Sequence, residues 1–173
     1  PAFLNESKHA IFTSRAPGIR CQLDQPRVRE IAVALRDRLA AAGVLPAGAR
    51  AIQAITFDKT AASNWKVTWH QDLMFPLADA PRASGYEFPS LKDGVNFARP
   101  PQAVLLRLLA VRLHFDRCDH DNGPLRVCPG SHCCGIIPAA KMPSVLARRG
   151  EKTCTAEEGD LLLLKPLLLH ASS

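Results

Sequence analysis

Asp121-Asn122-Gly123-Pro124-Leu125-Arg126-Val127-Cys128-Pro129-Gly130-Ser131-His132 is the stretch on which the reading of the fold turns. Asn-Gly between apolar runs signals a hairpin, because both residues tolerate the left-handed backbone of a tight turn. On one side, Ala103 to Phe115 predicts a strand or strand pair. On the other, Leu125 to Cys128 predicts the return strand, closed by Pro129-Gly130. Further out, Ala51 to Phe57 and Lys66 to His70 read as short strands separated by the polar turn Asp58 to Asn64. Cys154 and the run Asp160 to Leu169 supply the last strands. Residues 76 to 101 are rich in proline and lack periodicity, which predicts a long lid-like loop.

Ahead of these strands, Gln25 to Ala42 predicts a helix. Val28, Ile31, Ala32, Leu35 and Leu39 form one apolar stripe, Pro26 sits at the first turn and Gly43 at the stop. A second, short helix is expected around Ala139 to Arg149. One helix followed by many short strands predicts a mainly β fold with helical cover, a sandwich or jelly roll. At 173 residues a single domain is expected. Its mixed, helical part would cover residues 1–49 and its β core residues 50–173.

The net charge of +6 comes mostly from scattered arginines rather than a basic patch interleaved with aromatics, so nucleic-acid binding is not expected. A mild basic excess suits an anionic small molecule. The longest apolar stretch, Leu161 to Leu169, is interrupted by Lys165 and Pro166, which argues against a membrane span. No charged region followed by an apolar one marks the start of the chain as a secretion signal. Cys21, Cys118, Cys128, Cys133, Cys134 and Cys154 form no Cys-x-x-Cys pair, so reduced thiols and a cytoplasmic location are expected.

The residues with most chemical content are His70 and Asp72, in Trp69-His70-Gln71-Asp72, and His170 near the other end. Residues i and i+2 of a strand share a face, so His70 and Asp72 can reach one site together. His170, read as the end of a long apolar strand, can enter the same site. Two histidines and a carboxylate make up a facial triad, which holds ferrous iron and leaves other coordination positions open. Taken alone, His-x-Asp arises often by chance, and a histidine at a strand end is more often part of a core or a surface than a ligand.

The neighbouring motifs supply context. The 121–132 stretch resembles the Asn-Gly-Pro-Leu…Pro-Gly-Ser-His signature of the phytanoyl-CoA dioxygenase family. Trp69-His70-Gln71-Asp72 resembles that family's first metal motif, and Gly159-Asp160-Leu161-Leu162 leading to His170-Ala171-Ser172 its distal-histidine strand. Asn64-Trp65-Lys66 and Lys92-Asp93-Gly94-Val95 are similar to a bacterial subgroup. The resemblance implies a double-stranded β-helix (jelly roll, cupin-like) with non-haem Fe(II) and 2-oxoglutarate as co-substrate. It implies hydroxylation of a small organic molecule by O2 with oxidative decarboxylation of 2-oxoglutarate to succinate. It makes His70, Asp72 and His170 the iron ligands and catalytic residues, and Gln71 and Ser172 co-substrate contacts. The carboxylate of Asp72 argues against a halogenase.

The family also places an arginine on the strand after the distal histidine, where a guanidinium matches the distal carboxylate of 2-oxoglutarate. The sequence stops at Ser173 before such a position, so truncation and a missing last strand are expected. The alternative is a metal-binding β-helix fragment or pseudoenzyme without oxygenase activity. The substrate and the oligomeric state are not legible.

Other groups invite weaker readings. His132 with Cys128, Cys133 and Cys134 has the atoms for zinc but not the spacing, and Cys133 lacks a base that would make it a nucleophile. His114 and His120 flank a polar turn and are expected in solvent. For Arg107 and Arg112 an outward face is the simpler expectation, although one could point inward toward a carboxylate. Tyr86, Phe88 and Lys92 could touch substrate from the loop.

Overall fold

The computed structural model describes residues 2–12, 18–59, 66–79 and 84–172. Residues 60–64 of the expected turn, Trp65 of the subgroup motif and Ser173 lie outside the described residues. Two compact units make up the chain, Pro1–Lys59 and Thr60–Ser173.

In the first unit, α1 (Ala2–Ile11) precedes α2 (Pro26–Ala41). Pro26 opens α2 where its missing N–H costs nothing, and Val28, Ile31 and Leu39 of the apolar stripe are buried. Gly43 ends the helix with φ +71°, which a side chain would resist. Its N–H donates to Ala40 O (3.0 Å), and that of Val44 to Leu39 O (2.9 Å). Arg27 Nε donates to the buried Ser7 Oγ at 3.0 Å and ties α2 to α1. β1 (Gly18–Ile19) pairs antiparallel with β2 (Thr56–Phe57). The strand expected over Ala51 to Phe57 shrinks to these last two residues, since β1 offers only two partners and Ile52 and Ile55 stay exposed.

Among the described residues, the second unit carries three antiparallel sheets. β3 (Val67–His70), β8 (Leu125–Val127), β9 (Lys152–Cys154) and β11 (His170–Ser172) form one, in the order β3-β11-β8-β9. β7 (Ala110–Leu113) and β10 (Leu161–Leu164) form the second. β4 (Phe75–Leu77), β5 (Glu87–Lys92) and β6 (Val95–Arg99) form the third, in the order β4-β6-β5. From β7 onward the chain passes from the two-stranded sheet to the four-stranded one and back. Leu125 and Val127 of β8 pack against Leu164, Leu162 and Ala110 of the facing pair. A second cluster, Cys128, Ile137, Val145 and Leu169, is covered by Trp69, Met142 and Leu146. Met142 and Leu146 come from α4 (Met142–Arg149), which lies within the segment expected to be helical.

Four expectations need correction. The segment 76–101 is largely a sheet, not an irregular loop. β5 and β6 form a hairpin on Asp93-Gly94, both with positive φ (50° and 77°), as a two-residue turn demands. The prolines that obscured it stand on edges: Pro76 in β4, Pro89 beside a bulge in β5. Ala103 to Phe115 begins as a short helix, α3 (Gln102–Leu105), which buries Leu105 completely and exposes Leu106; only Ala110–Leu113 is strand. Asn122-Gly123 is not the tip of a hairpin, because β7 pairs with β10 while β8 pairs with β9 and β11. Asn122 instead shapes the crossing loop, accepting from Asp119 N–H (2.9 Å) and donating to Arg117 O (2.7 Å). Finally, His170 opens β11 rather than ending a long strand, since Lys165 and Pro166 break the apolar run into β10 and a turn.

Candidate metal centre

β3 runs antiparallel to β11, with His70 and His170 as direct Cα partners. Side chains opposite each other in such a pair share a face, so the register brings the two imidazoles together with centroids 4.2 Å apart. Asp72 follows two residues beyond His70, its backbone N–H donating to Pro166 O at 2.9 Å. Its carboxylate lies between the rings: Oδ1 is 3.7 Å from His70 Nε2, and Oδ2 is 3.7 Å from His170 Nε2. Ligand atoms of the three residues fall within 4.8 Å of one another. Mutually cis donors about 2.0–2.2 Å from a shared ion lie about 3 Å apart, so the three side chains would draw together to hold one.

The donor chemistry also fits a metal. His70 Nδ1 is 2.8 Å from Thr68 O and His170 Nδ1 is 2.8 Å from Leu168 O. A carbonyl only accepts, so both Nδ1 atoms carry a proton, which leaves Nε2 as the ligand atom of each ring, turned toward Asp72. Such a hydrogen bond from the outer ring nitrogen orients a ligating histidine and fixes its tautomer. Burial, the largest influence, pushes the His170 pKa below its usual value against the raising effect of Asp72. A neutral imidazole is the form that binds metal. The site is open on one side: the side chains of His70 and Asp72 are 38% and 46% exposed, that of His170 8%.

Gln71, between His70 and Asp72, is buried and turned to another task. Its Nε2 donates to Gly135 O (2.9 Å) and Leu167 O (2.6 Å), and its Oε1 accepts from Ile137 N–H (2.8 Å). Both amide hydrogens are thereby spent on backbone. Ser172 lies two residues beyond His170 in β11 and is buried. Tyr86, Phe88 and Lys92 belong to the segment of the β4-β6-β5 sheet, and Phe88 stacks under Arg99 at 4.6 Å.

Sequence reading missed three further residues. Ser131 is fully buried, and its Oγ accepts the Leu169 N–H at 2.8 Å, bracing the residue before His170. The Pro-Gly-Ser-His turn was the available signal. His114, expected in solvent, is buried, with its backbone N–H donating to Asp160 O at 3.0 Å. Arg112 faces inward; it is directly opposite Leu162, while Ala110 is opposite Leu164. Leu162, Leu164 and Ala110 all contribute to the core, whereas Leu161 and Leu163 are exposed, so alternation puts Arg112 on the inner face.

The model of the phytanoyl-CoA dioxygenase family matches residues 3–173. The chain belongs to the phytanoyl-CoA dioxygenase family. Three solved structures of EctD from S. alaskensis are similar to this family member. The structure with 2-oxoglutarate and 5-hydroxyectoine superposes with a TM-score of 0.67 at 20% identity, over 99% of this chain and 61% of that one. The apoform gives 0.67 at 18% identity over the same shares, and the form with bound Fe gives 0.64 at 21%, over 99% and 60%. The likeness establishes the fold, a double-stranded β-helix, whose sheets are not closed among the described residues. The chain spans about three-fifths of the length of the solved structures it matches. No curated protein matches it. Among the described residues, no helix is long and apolar enough to cross a membrane.

Proposed function

We propose that this member of the phytanoyl-CoA dioxygenase family is a non-haem Fe(II)- and 2-oxoglutarate-dependent dioxygenase that hydroxylates a small organic molecule. The observation that carries the reading is the pair of facing Nε2 atoms with the Asp72 carboxylate between them. His70, Asp72 and His170 would be the iron ligands. Two neutral imidazoles and one carboxylate leave a divalent ion with residual positive charge, which favours an anionic chelator at the remaining positions. A bound Fe(II) would activate O2, the oxidant, with 2-oxoglutarate as its two-electron reductant, so that one O2, one 2-oxoglutarate and one C–H bond would give succinate, CO2 and the alcohol.

The protein's share is positioning. Thr68 O and Leu168 O hold the rings, and the Asp72 N–H bond to Pro166 O fixes the start of the segment that carries the carboxylate. Buried Leu167 and Leu169 flank the approach to β11 and keep water from its backbone. Gln71 supports the site through its three backbone partners, and Ser172 remains the candidate contact for the co-substrate. The same reading puts the enzyme in the cytoplasm, where its thiols would stay reduced.

Succinate release from 2-oxoglutarate under air, with Fe(II) added, tests the proposal. The wild-type chain should exceed background, and Asp72→Ala and His70→Ala should return it to background. Equal succinate from wild type and variants would remove these residues from the reaction.

A further inference from the structure

We propose that, of the adjacent thiols Cys133 and Cys134, Cys134 is a site of reversible oxidation by hydroperoxides, set apart from its neighbour by the guanidinium of Arg149. The inference is independent of the dioxygenase reading, because it uses no residue of the metal centre. The cysteines differ in access: Cys118 and Cys128 are buried, Cys21 and Cys154 half-buried, and the pair Cys133 and Cys134 exposed. That pair closes the single helical turn Ser131–Cys134, which follows Pro129-Gly130.

Arg149 Nη2 donates a hydrogen bond to Cys134 Sγ at 3.6 Å. Among the described residues no side chain donates to the Cys133 sulfur. Two features hold the guanidinium where it is. Arg149 ends α4, and Val145 of that helix is buried in one cluster with Cys128, which fixes α4 against the turn. Gly130 leaves the room: a Cβ there would lie 2.8 Å from Arg149 Nη1. Among the described residues no carboxylate pairs with Arg149, so no ion pair draws its charge away from the sulfur. An accessible sulfur beside a fixed cation is the setting in which cysteines act as nucleophiles.

The chemistry balances with a hydroperoxide as the oxidant. The Cys134 sulfur, as thiolate, attacks the terminal peroxide oxygen; an S–O bond forms and the O–O bond breaks. The departing oxygen takes a proton from solvent and leaves as water or an alcohol. Sulfur loses two electrons, the peroxide gains them, and the sulfenic acid that results is returned to the thiol by a thiol reductant.

The test treats the iron-free chain with hydrogen peroxide in the presence of dimedone, which traps sulfenic acids, and locates the adduct by tandem mass spectrometry. The adduct should sit on Cys134 and form at the wild-type rate in Cys133→Ser. Cys134→Ser should lower the labelling of the pair by about fivefold or more, and Arg149→Gln should slow labelling of Cys134 by about threefold or more. If R149Q does not fold, the two cysteine variants carry the test alone. Equal adduct on both sulfurs, an undiminished rate in a folded R149Q, or labelling no faster than in the urea-unfolded chain would overturn the assignment.

Discussion

His70 and His170 are direct cross-strand partners, one ending β3 and the other opening β11. A hundred residues of sequence separation thus become one rung of a ladder. A single-residue slip would turn one imidazole to the opposite face. The metal centre therefore depends on whatever fixes that register, and two side chains do so from outside the strands.

Gln71 is the first. Gln71→Ala leaves Gly135 O, Leu167 O and Ile137 N–H without their partner in a buried setting. Each fully buried unmet group costs about 1–3 kcal/mol, and the contacts to Leu167 O and Ile137 N–H are fully buried, so the variant should lose about 2–6 kcal/mol by urea denaturation. Gln71→Glu should be no better, since a carboxylate would face two carbonyl oxygens. Stability equal to wild type in Q71A would show that the amide braces nothing.

Ser131 is the second. Ser131→Ala removes the acceptor for the Leu169 N–H, and Leu169→Ala opens a cavity in the cluster of Cys128, Ile137 and Val145. The first should cost about 1–3 kcal/mol and the second about 2–5 kcal/mol. Both should also weaken Mn(II) binding, because they loosen the chain next to His170. Destabilisation with unchanged Mn(II) affinity would separate the brace from the metal site.

The legible and illegible parts of the fold differ in a physical way. α2 was readable because its stripe, Pro26 and Gly43 are local signals that agree. The β5-β6 hairpin carried an equally local signal in Asp93-Gly94, but the surrounding prolines suggested a loop; they are tolerated because edge strands need fewer N–H donors. Asn122-Gly123 misled for the opposite reason. The turn preference is real, yet the partners of β7 and β8 are chosen by long-range packing against Leu164 and Leu162. The three ligand candidates were visible by residue type and spacing. Their convergence, the Gln71 brace and the inward turn of Arg112 depend on tertiary register, which no local pattern encodes.

Acid should destabilise the metal-free chain through His114. Burial, then the Arg112 charge, holds its pKa below the ordinary 6.5. Its stabilising contribution is therefore complete above that ordinary value. Below it, protons bind the unfolded chain first, and stability falls until the pH passes the lowered folded value. His170 adds in the same direction, again mainly through burial. Urea midpoints measured from pH 8 to pH 5 should decline, and His114→Asn should flatten the decline. A slope unaffected by that substitution would exclude His114 as a contributor.

The most direct measurement is an Mn(II) titration followed by the electron paramagnetic resonance of the free ion, on wild type and on His70→Ala, Asp72→Ala and His170→Ala. The account predicts one ion per wild-type chain. It predicts a loss in each variant at least as large as the 10–100-fold that changes around a ligand typically cause. Binding of equal strength in wild type and all three variants would contradict it.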